Sequence, residues 1–189
     1  MARLSVARAE DYERQSWKNG GGSTQEIARD PGSGLDGFGW RLSMAEIEAS
    51  GGFSTFAGYR RVITVLEGGG MRLRVDGTQS RVLLPFDPFT FSGDSEVSCT
   101  LLGGAVRDLN LIYAPERYEA RLRWVESEER LSSAASTGLV FSVTDGLTAR
   151  VGDAVLYLDR HDSVRWDSEG GATEIVVDGA CCVIELTSR

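Results

Sequence analysis

Histidine and lysine are almost absent from this chain: His161 and Lys18 are the single residues of each type among 189. Protein sites for transition metals usually need at least two imidazoles, so one histidine is too few. We therefore expect no transition metal and no other cofactor. Lys18 is also one of 20 basic residues, which makes the other 19 arginines.

Cysteine, long apolar runs and positive charge are scarce as well. The three cysteines, Cys99, Cys181 and Cys182, form no C-x-x-C motif, which is typical of a reducing compartment. No apolar run approaches the roughly 20 residues of a membrane span, and MARLSVARAEDYERQ lacks the core of a signal peptide. The net charge of −8 argues against nucleic acid and membrane surfaces as partners. These features predict a cytoplasmic protein.

Short strands separated by turns dominate the pattern. WRLSMAEI and MRLRVDG alternate apolar and polar residues, VITVLEG is a β-branched run, and Asp76-Gly77 is a hairpin signal. The stretch SEERLSSAAS, residues 127–136, is predicted to be a short helix or a linker. Many short strands and few helices predict an all-β sandwich or barrel.

An internal repeat suggests two β units. LLPFDPFTFSGDSEVSCTLLGGAVRDLNL aligns with YLDRHDSVRWDSEGGATEIVVDGACCVIEL at an offset of 75, which pairs Asp87 with Asp162 and Phe91 with Trp166. Duplication would give one domain at residues 1–125 and a smaller one at 126–189. Two unrelated β-rich halves could also align by chance on alternation and glycines. The first half holds most of the arginines, so we expect the site there.

Several blocks together resemble the HutD/Ves family. They are WKNGGGSTQEIA, WRLSMAEIEASGGFSTFAGYRRVITVLEG, LPFDPFTFSGD and VRDLN, in the family's order and covering most of residues 1–113. The resemblance implies the cupin fold, a double-stranded β-helix or jelly roll, in a two-barrel (bicupin) arrangement. It also implies an association with bacterial histidine utilisation and a regulatory or ligand-binding role.

The chain departs from the pattern of the metal-binding cupins. Where the first barrel would carry its histidines, it has VITVLEGGG and RDLNL. His161 lies in the turn-like DRHDS, where we expect an exposed loop residue. Binding of a hard cation by Glu67, Asp108 and Asn110 stays open as an alternative.

Two pairs of polar residues share strand faces. Asp108 and Asn110 lie two apart in AVRDLNLIY, as Arg41 and Ser43 do in WRLSMAEI. Such faces are often simply solvated, but the inward faces of a closed barrel line its cavity. Polar groups there are costly unless they pair with each other or with a ligand. An arginine fork binds a carboxylate well, and Asp108 could balance Arg41 or Lys18 in an empty site.

The lone lysine stands beside three glycines in SWKNGGGSTQEIA. Gly20, Gly21 and Gly22 permit positive φ and close approach, and successive N–H groups can form an anion-binding nest. This is not a Walker loop, because the lysine precedes the glycines. The predicted ligand contacts are Lys18, Asn19, Gly20, Gly21, Thr24, Glu26, Arg41, Ser43, Asp108 and Asn110, with no catalytic residue and no metal ligand.

Two functions are consistent with these residues. The first is a non-catalytic, regulatory protein that binds a small carboxylate; the resemblance implies a histidine-degradation intermediate such as urocanate or N-formylglutamate. The second is a metal-free cupin enzyme, an isomerase or hydrolase using Lys18 or Glu26 as acid or base. The sequence shows no nucleophile–base pair, which favours the first. It leaves the oligomeric state open, with a homodimer as one option.

Overall fold

The computed structural model describes residues 2–30 and 37–189, and this part of the chain is all-β as predicted. It contains 19 strands and one 3-10 turn, Ala9–Asp11. The strands are β1 Arg3–Ala7, β2 Arg14–Ser16, β3 Gly22–Arg29, β4 Trp40–Ile47, β5 Gly51–Gly52, β6 Arg60–Glu67, β7 Met71–Val75, β8 Thr78–Leu83, β9 Phe89–Ser92, β10 Val97–Leu101, β11 Val106–Tyr113, β12 Tyr118–Val125, β13 Glu129–Ser133, β14 Thr137–Ser142, β15 Leu147–Val151, β16 Ala154–Leu158, β17 Ser163–Asp167, β18 Thr173–Asp178 and β19 Cys181–Ser188. Among the described residues there is no helix with the length and apolar character that a membrane span requires.

The chain divides into two compact units. The central unit is Glu13–Pro115, and the terminal unit consists of the chain up to Tyr12 together with Glu116–Arg189. The limits predicted from the repeat, 1–125 and 126–189, differ from this division. The difference arises because β1 pairs with β17, and β12 pairs with β19 along its whole length.

The central unit is a jelly roll. Its sheets have the strand orders β2-β3-β4-β11-β6-β9 and β5-β10-β7-β8. The eight strands β4 to β11 are therefore divided four and four between two antiparallel sheets, in the Greek-key manner of a jelly roll. The predicted Asp76-Gly77 hairpin joins β7 to β8, with positive φ at both turn residues. The apolar core of this unit includes Ile47, Ile63, Val65, Met71, Leu73, Leu83, Phe91, Val97, Cys99 and Val106.

The terminal unit repeats the same order of strands. Its sheets are β1-β17-β14-β19-β12 and β13-β18-β15-β16. Adding eight to the labels of β4-β11-β6-β9 and β5-β10-β7-β8 reproduces β12-β19-β14-β17 and β13-β18-β15-β16. The bounds of β11 and β19 also differ by 75 residues, the offset of the sequence repeat. This shared order is what a duplication predicts.

Two local expectations were wrong. Residues 127–136 form no helix; β13 lies there and pairs with β18, so pairing across the sheet outweighs the local preference of these residues. His161 is in a loop, but its side chain is buried and stacks on the Phe141 ring with centroids 5.6 Å apart. The Tyr12 hydroxyl donates to the His161 carbonyl at 2.9 Å, which fixes this loop.

A first prediction concerns packing in the terminal unit. Gly138 on β14 lies against the Trp166 ring of β17, and a Cβ at this position would be 1.9 Å from Cζ2 of that ring. Because Trp166 is fully buried, the ring has little room to move. We expect Gly138→Ala to lower the free energy of unfolding by about 1–3 kcal/mol or more, as overpacked cores do.

Urea unfolding would measure this change. Gly51→Ala is the control, since a Cβ there meets nothing within 4 Å and its φ is not positive. Equal stability of Gly138→Ala and the wild type would contradict the packing described for Trp166.

Candidate functional site

The central unit has a cavity of about 460 Å³ that opens to solvent and that we call the central cavity. Its walls come from β2 and the turn after it, from β3, β4, β6 and β11, and from the segment that follows β5. The lining residues are Gln15, Ser16, Trp17, Lys18, Asn19, Thr24, Arg41, Ser43, Ala45, Ile47, Gly52, Phe53, Ser54, Phe56, Arg61, Asp108 and Asn110.

Strand pairing explains why polar residues distant in sequence meet here. Asp108 on β11 lies opposite Ala45 on β4, which in turn lies opposite Thr24 on β3. Asn110 lies opposite Ser43 in the same way. Directly opposed residues of antiparallel strands point to the same face of the sheet, so these side chains form adjacent rows on the cavity wall.

Arg61 is a residue of the candidate site that the sequence did not reveal. It lies on β6 and shares a face with Ile63 and Val65, which belong to the apolar core. An arginine on an otherwise apolar strand face was the signal in RRVITVLEG that could have identified it. The aromatic residues Phe53 and Phe56 were also missed, because they come from an irregular segment without a strand period.

The Arg61 guanidinium is buried among aromatic rings. Its Cζ lies 5.4 Å from the centroids of Phe53 and Phe56 and 5.0 Å from that of Phe91, distances typical of cation–π contacts. One terminal nitrogen donates to the Ser54 carbonyl at 3.0 Å. Its Nε is buried and finds no hydrogen-bond partner among residues 2–30 and 37–189. Burial lowers the pKa of Arg61 to about 10, although the charge of Asp108 opposes this shift.

Arg41 is a second arginine stacked on aromatic rings at the cavity. Its Cζ lies 5.2 Å from the centroid of Phe38 and 5.4 Å from that of Phe56. Burial lowers the pKa of Arg41, and the nearby charge of Glu26 partly offsets this effect. Its Nε, like that of Arg61, is buried without a hydrogen-bond partner in the described part of the chain.

Asp108 is the buried acidic residue of the cavity wall, with 2% of its surface exposed. Burial raises the pKa of its carboxyl to about 7, against the opposing effects of the Arg61 charge and the Ala45 backbone N–H. Its Oδ1 and the Oδ1 of Asn110 are buried and lack hydrogen-bond partners among the described residues. Buried polar atoms without partners are rare in native proteins and need an explanation.

The glycines beside Lys18 shape a turn. The Gly20 N–H donates to the Trp17 carbonyl and the Gly21 N–H donates to Asn19 Oδ1, each at 3.0 Å. These two N–H groups are therefore occupied, and the predicted anion nest is not formed by them. Gly22 allows β3 to approach β4, since a Cβ there would lie 2.2 Å from the Glu46 carbonyl oxygen.

The structure brings most of the predicted contacts to one cavity. Those that line it are Lys18, Asn19, Thr24, Arg41, Ser43, Asp108 and Asn110. Glu26 is exposed and does not line it, but its charge acts on Arg41. Gly20 does not line it, and Gly21 lines a neighbouring cavity of about 120 Å³.

The hard-cation alternative is not supported by the geometry. Glu67 does not line the central cavity with Asp108 and Asn110, and its carboxylate lies 3.5 Å from Arg107. Within the described residues there is no group of three or more His, Cys, Asp or Glu side chains that could hold a metal ion.

Comparison with known proteins places the chain among relatives of similar length. The HutD family model matches residues 9–184. An uncharacterized 21.2 kDa protein from the hutC 3′ region of Pseudomonas putida is 58% identical over the full length of both chains. Protein Ves of Citrobacter koseri is 39% identical over 76% of this chain and 74% of its own.

Solved structures agree with this placement. The structure of HutD from Pseudomonas fluorescens SBW25 in a formate condition has a TM-score of 0.90 and 58% identity to this chain. The match covers 99% of this chain and 100% of that one. Oxalate decarboxylase from Lactobacillus farciminis has a TM-score of 0.66 at 8% identity, covering 96% and 85%, and shows that the cupin fold is shared. The chain belongs to the HutD family, whose association is with histidine utilisation.

Proposed function

We propose that this protein binds a small carboxylate in the central cavity and thereby has a regulatory role in histidine utilisation. The observation that carries the proposal is Arg61, a buried guanidinium whose Nε has no hydrogen-bond partner among the described residues. Lys18, Arg41 and Arg61 line the cavity, whereas Asp108 is the single carboxylate that lines it in the described part of the chain. An excess of cations in a partly desolvated site favours an anionic ligand.

The family association narrows the choice of ligand. Histidine degradation passes through carboxylates, and we propose an intermediate such as urocanate or N-formylglutamate. Formate, the smallest carboxylate, is a further probe, since the P. fluorescens HutD structure is described as a formate condition. The ligand is a metabolite, so the proposed setting is the cytoplasm, with neither nucleic acid nor membrane as a partner. A homodimer is compatible with this role.

A metal-free enzyme is the second candidate, and Asp108 is the residue that favours it. General acid–base catalysis works best when the pKa of the group lies near the working pH, and burial brings the pKa of Asp108 to about 7. This makes Asp108 a better acid or base than Lys18 or Glu26, which are both exposed. Incubating protein with each carboxylate and following the ligand by NMR distinguishes the two candidates, because only an enzyme consumes its ligand.

A second prediction tests whether the central cavity is the binding site. Lys18 is exposed, so its charge attracts an anion through solvent and is screened by salt. We expect Lys18→Ala to weaken carboxylate binding by about threefold to tenfold at low ionic strength, with a smaller effect in high salt. Calorimetric titration of urocanate, N-formylglutamate, formate and glutamate measures the dissociation constants.

Arg72→Ala is the matched control for this experiment. Arg72 lies on an exposed position of β7 and does not line the central cavity, so it should bind like the wild type. If Lys18→Ala and Arg72→Ala have equal affinity, the site is misplaced. If the wild type binds none of the four compounds, the proposed ligand class is wrong.

A further inference from the structure

We propose that ligand binding in the central cavity is coupled to uptake of one proton by Asp108, which then donates a hydrogen bond to the bound carboxylate. This inference rests on the proposed function and adds a regulatory property to it: affinity depends on pH. The geometry that supports it is the position of one buried carboxyl beside the two arginines that would hold the ligand.

Asp108 is not locked in an ion pair. Among the described residues, neither Arg61 nor Arg41 has a nitrogen within 4.0 Å of the Asp108 carboxylate, although the Arg61 charge acts on it electrostatically. Arg61 donates to the Ser54 carbonyl instead. Asp108 Oδ1 is buried without a hydrogen-bond partner in the part of the chain that the structure describes. A ligand in the cavity can therefore contact both the Arg61 guanidinium and the Asp108 carboxyl, whose Oδ1 has no hydrogen-bond partner among the described residues.

Charged and titratable groups from the surrounding elements share the cavity with Asp108 or act on it electrostatically. They are Lys18 on the turn after β2, Arg41 on β4, Arg61 on β6 and Cys99 on β10, with Glu26 on β3 acting through Arg41. Burial raises the pKa of Cys99, and the charge of Asp108 raises it further. Of these groups, Arg61 is the one whose charge opposes the effect of burial on the pKa of Asp108.

A bound carboxylate changes this balance in one direction. It adds a negative charge next to Asp108 and shares the positive charge of Arg61. Two carboxylates in one desolvated site do not both stay ionised, and one of them keeps a proton. Ligand binding therefore raises the pKa of Asp108 above its value in the empty cavity, which burial has already moved to about 7.

The sign and the pH window follow from linkage. Below the pKa of the empty cavity, Asp108 is protonated before and after binding, so affinity does not change with pH. Above it, binding takes up a proton, and affinity falls by as much as tenfold for each pH unit. We expect the dissociation constant of N-formylglutamate to rise more than about tenfold between pH 6.5 and pH 8.5.

Calorimetry in buffers of different ionisation enthalpy measures the proton directly. N-formylglutamate is the probe, because its carboxyl groups titrate near about pH 4 and do not contribute. Titrations in HEPES, Tricine and Tris at pH 8 should give an uptake of close to one proton per ligand, and titrations at pH 5.5 should give almost none. Binding at pH 8 without proton uptake overturns this inference while leaving the proposed function intact.

Two variants assign the proton to Asp108. In Asp108→Asn the amide can donate the same hydrogen bond but cannot titrate, so binding should persist with no uptake and a flat pH profile. Asp87→Asn, at a half-buried acid of the same unit that does not line the central cavity, should keep the uptake of the wild type. Uptake that persists in Asp108→Asn assigns the proton elsewhere. If Asp108→Asn does not fold, the wild-type titrations still decide, and failure of the wild type to bind at either pH removes both proposals.

Discussion

Arg61→Met is expected to remove most of the affinity for carboxylates. Methionine fills a similar volume against Phe53, Phe56 and Phe91, so the apolar contacts of the guanidinium stem are kept. The charge and the fork of donors are lost. Truncating a charged contact in a desolvated site typically costs about 2–5 kcal/mol, which corresponds to roughly thirtyfold or more in affinity. The effect should exceed that of Lys18→Ala, because Lys18 is exposed and Arg61 is buried.

The same chemical change on the outside of the unit gives the control. Arg72→Met on β7 removes an equal charge from an exposed position and should leave affinity unchanged. Arg61→Lys keeps the charge but loses the planar fork, so we expect an intermediate affinity. Calorimetric titration of formate and N-formylglutamate into all three variants measures these differences. Affinity of Arg61→Met equal to that of the wild type would show that the ligand is held elsewhere.

Part of this site could be predicted from the two-residue period of β-strands. Arg41 with Ser43 and Asp108 with Asn110 each lie two apart, and a strand places such residues on one face. Their partners across the sheet depend on register, which no local pattern in one strand gives. Arg61 was overlooked because the predicted β-branched run, VITVLEG, begins at Val62, so the arginine before it was not assigned to a strand face.

The fold, like the site, could be predicted in part from the sequence. Alternation and turn signals gave the all-β class, and the resemblance gave the cupin fold that the solved structures share. The limits of the two units were not predictable from composition. They depend on long-range pairing of β1 with β17, strands separated by about 160 residues in the sequence. The burial of His161 also depends on tertiary packing, since this loop residue stacks on Phe141 of β14.

The last prediction concerns how stability changes with pH. For Asp108 this change has the opposite sign to that of a surface carboxylate in an ion pair. In the folded protein burial raises the pKa of Asp108 from 3.8 to about 7. A raised pKa contributes stability that is fully present below the unfolded value and is lost as the pH rises through the folded one. A shift of about three pKa units corresponds to about 4 kcal/mol between pH 3.8 and pH 7.

Asp108→Asn removes the titration and keeps the shape of the side chain. We therefore expect its free energy of unfolding, relative to the wild type, to rise steadily between pH 4.5 and pH 7.5 and to level off above that range. Urea unfolding at matched pH values measures the difference, and comparing variant with wild type cancels the groups common to both. A difference that stays constant across this range would show that Asp108 keeps an ordinary pKa in the fold.

Asp87→Asn should change in the other direction, which makes it an informative control. The hydrogen bond from Arg81, with the charge of Arg81, lowers the pKa of Asp87. Its contribution is therefore present above the unfolded pKa and is lost as the pH falls through the folded one. Because this pair is exposed, the loss is small. That loss lies below about pH 4, so Asp87→Asn should show no slope between pH 4.5 and pH 7.5. A slope for Asp108→Asn beside a flat profile for Asp87→Asn, in one unit and by one method, would establish that burial beside the central cavity sets the charge of Asp108.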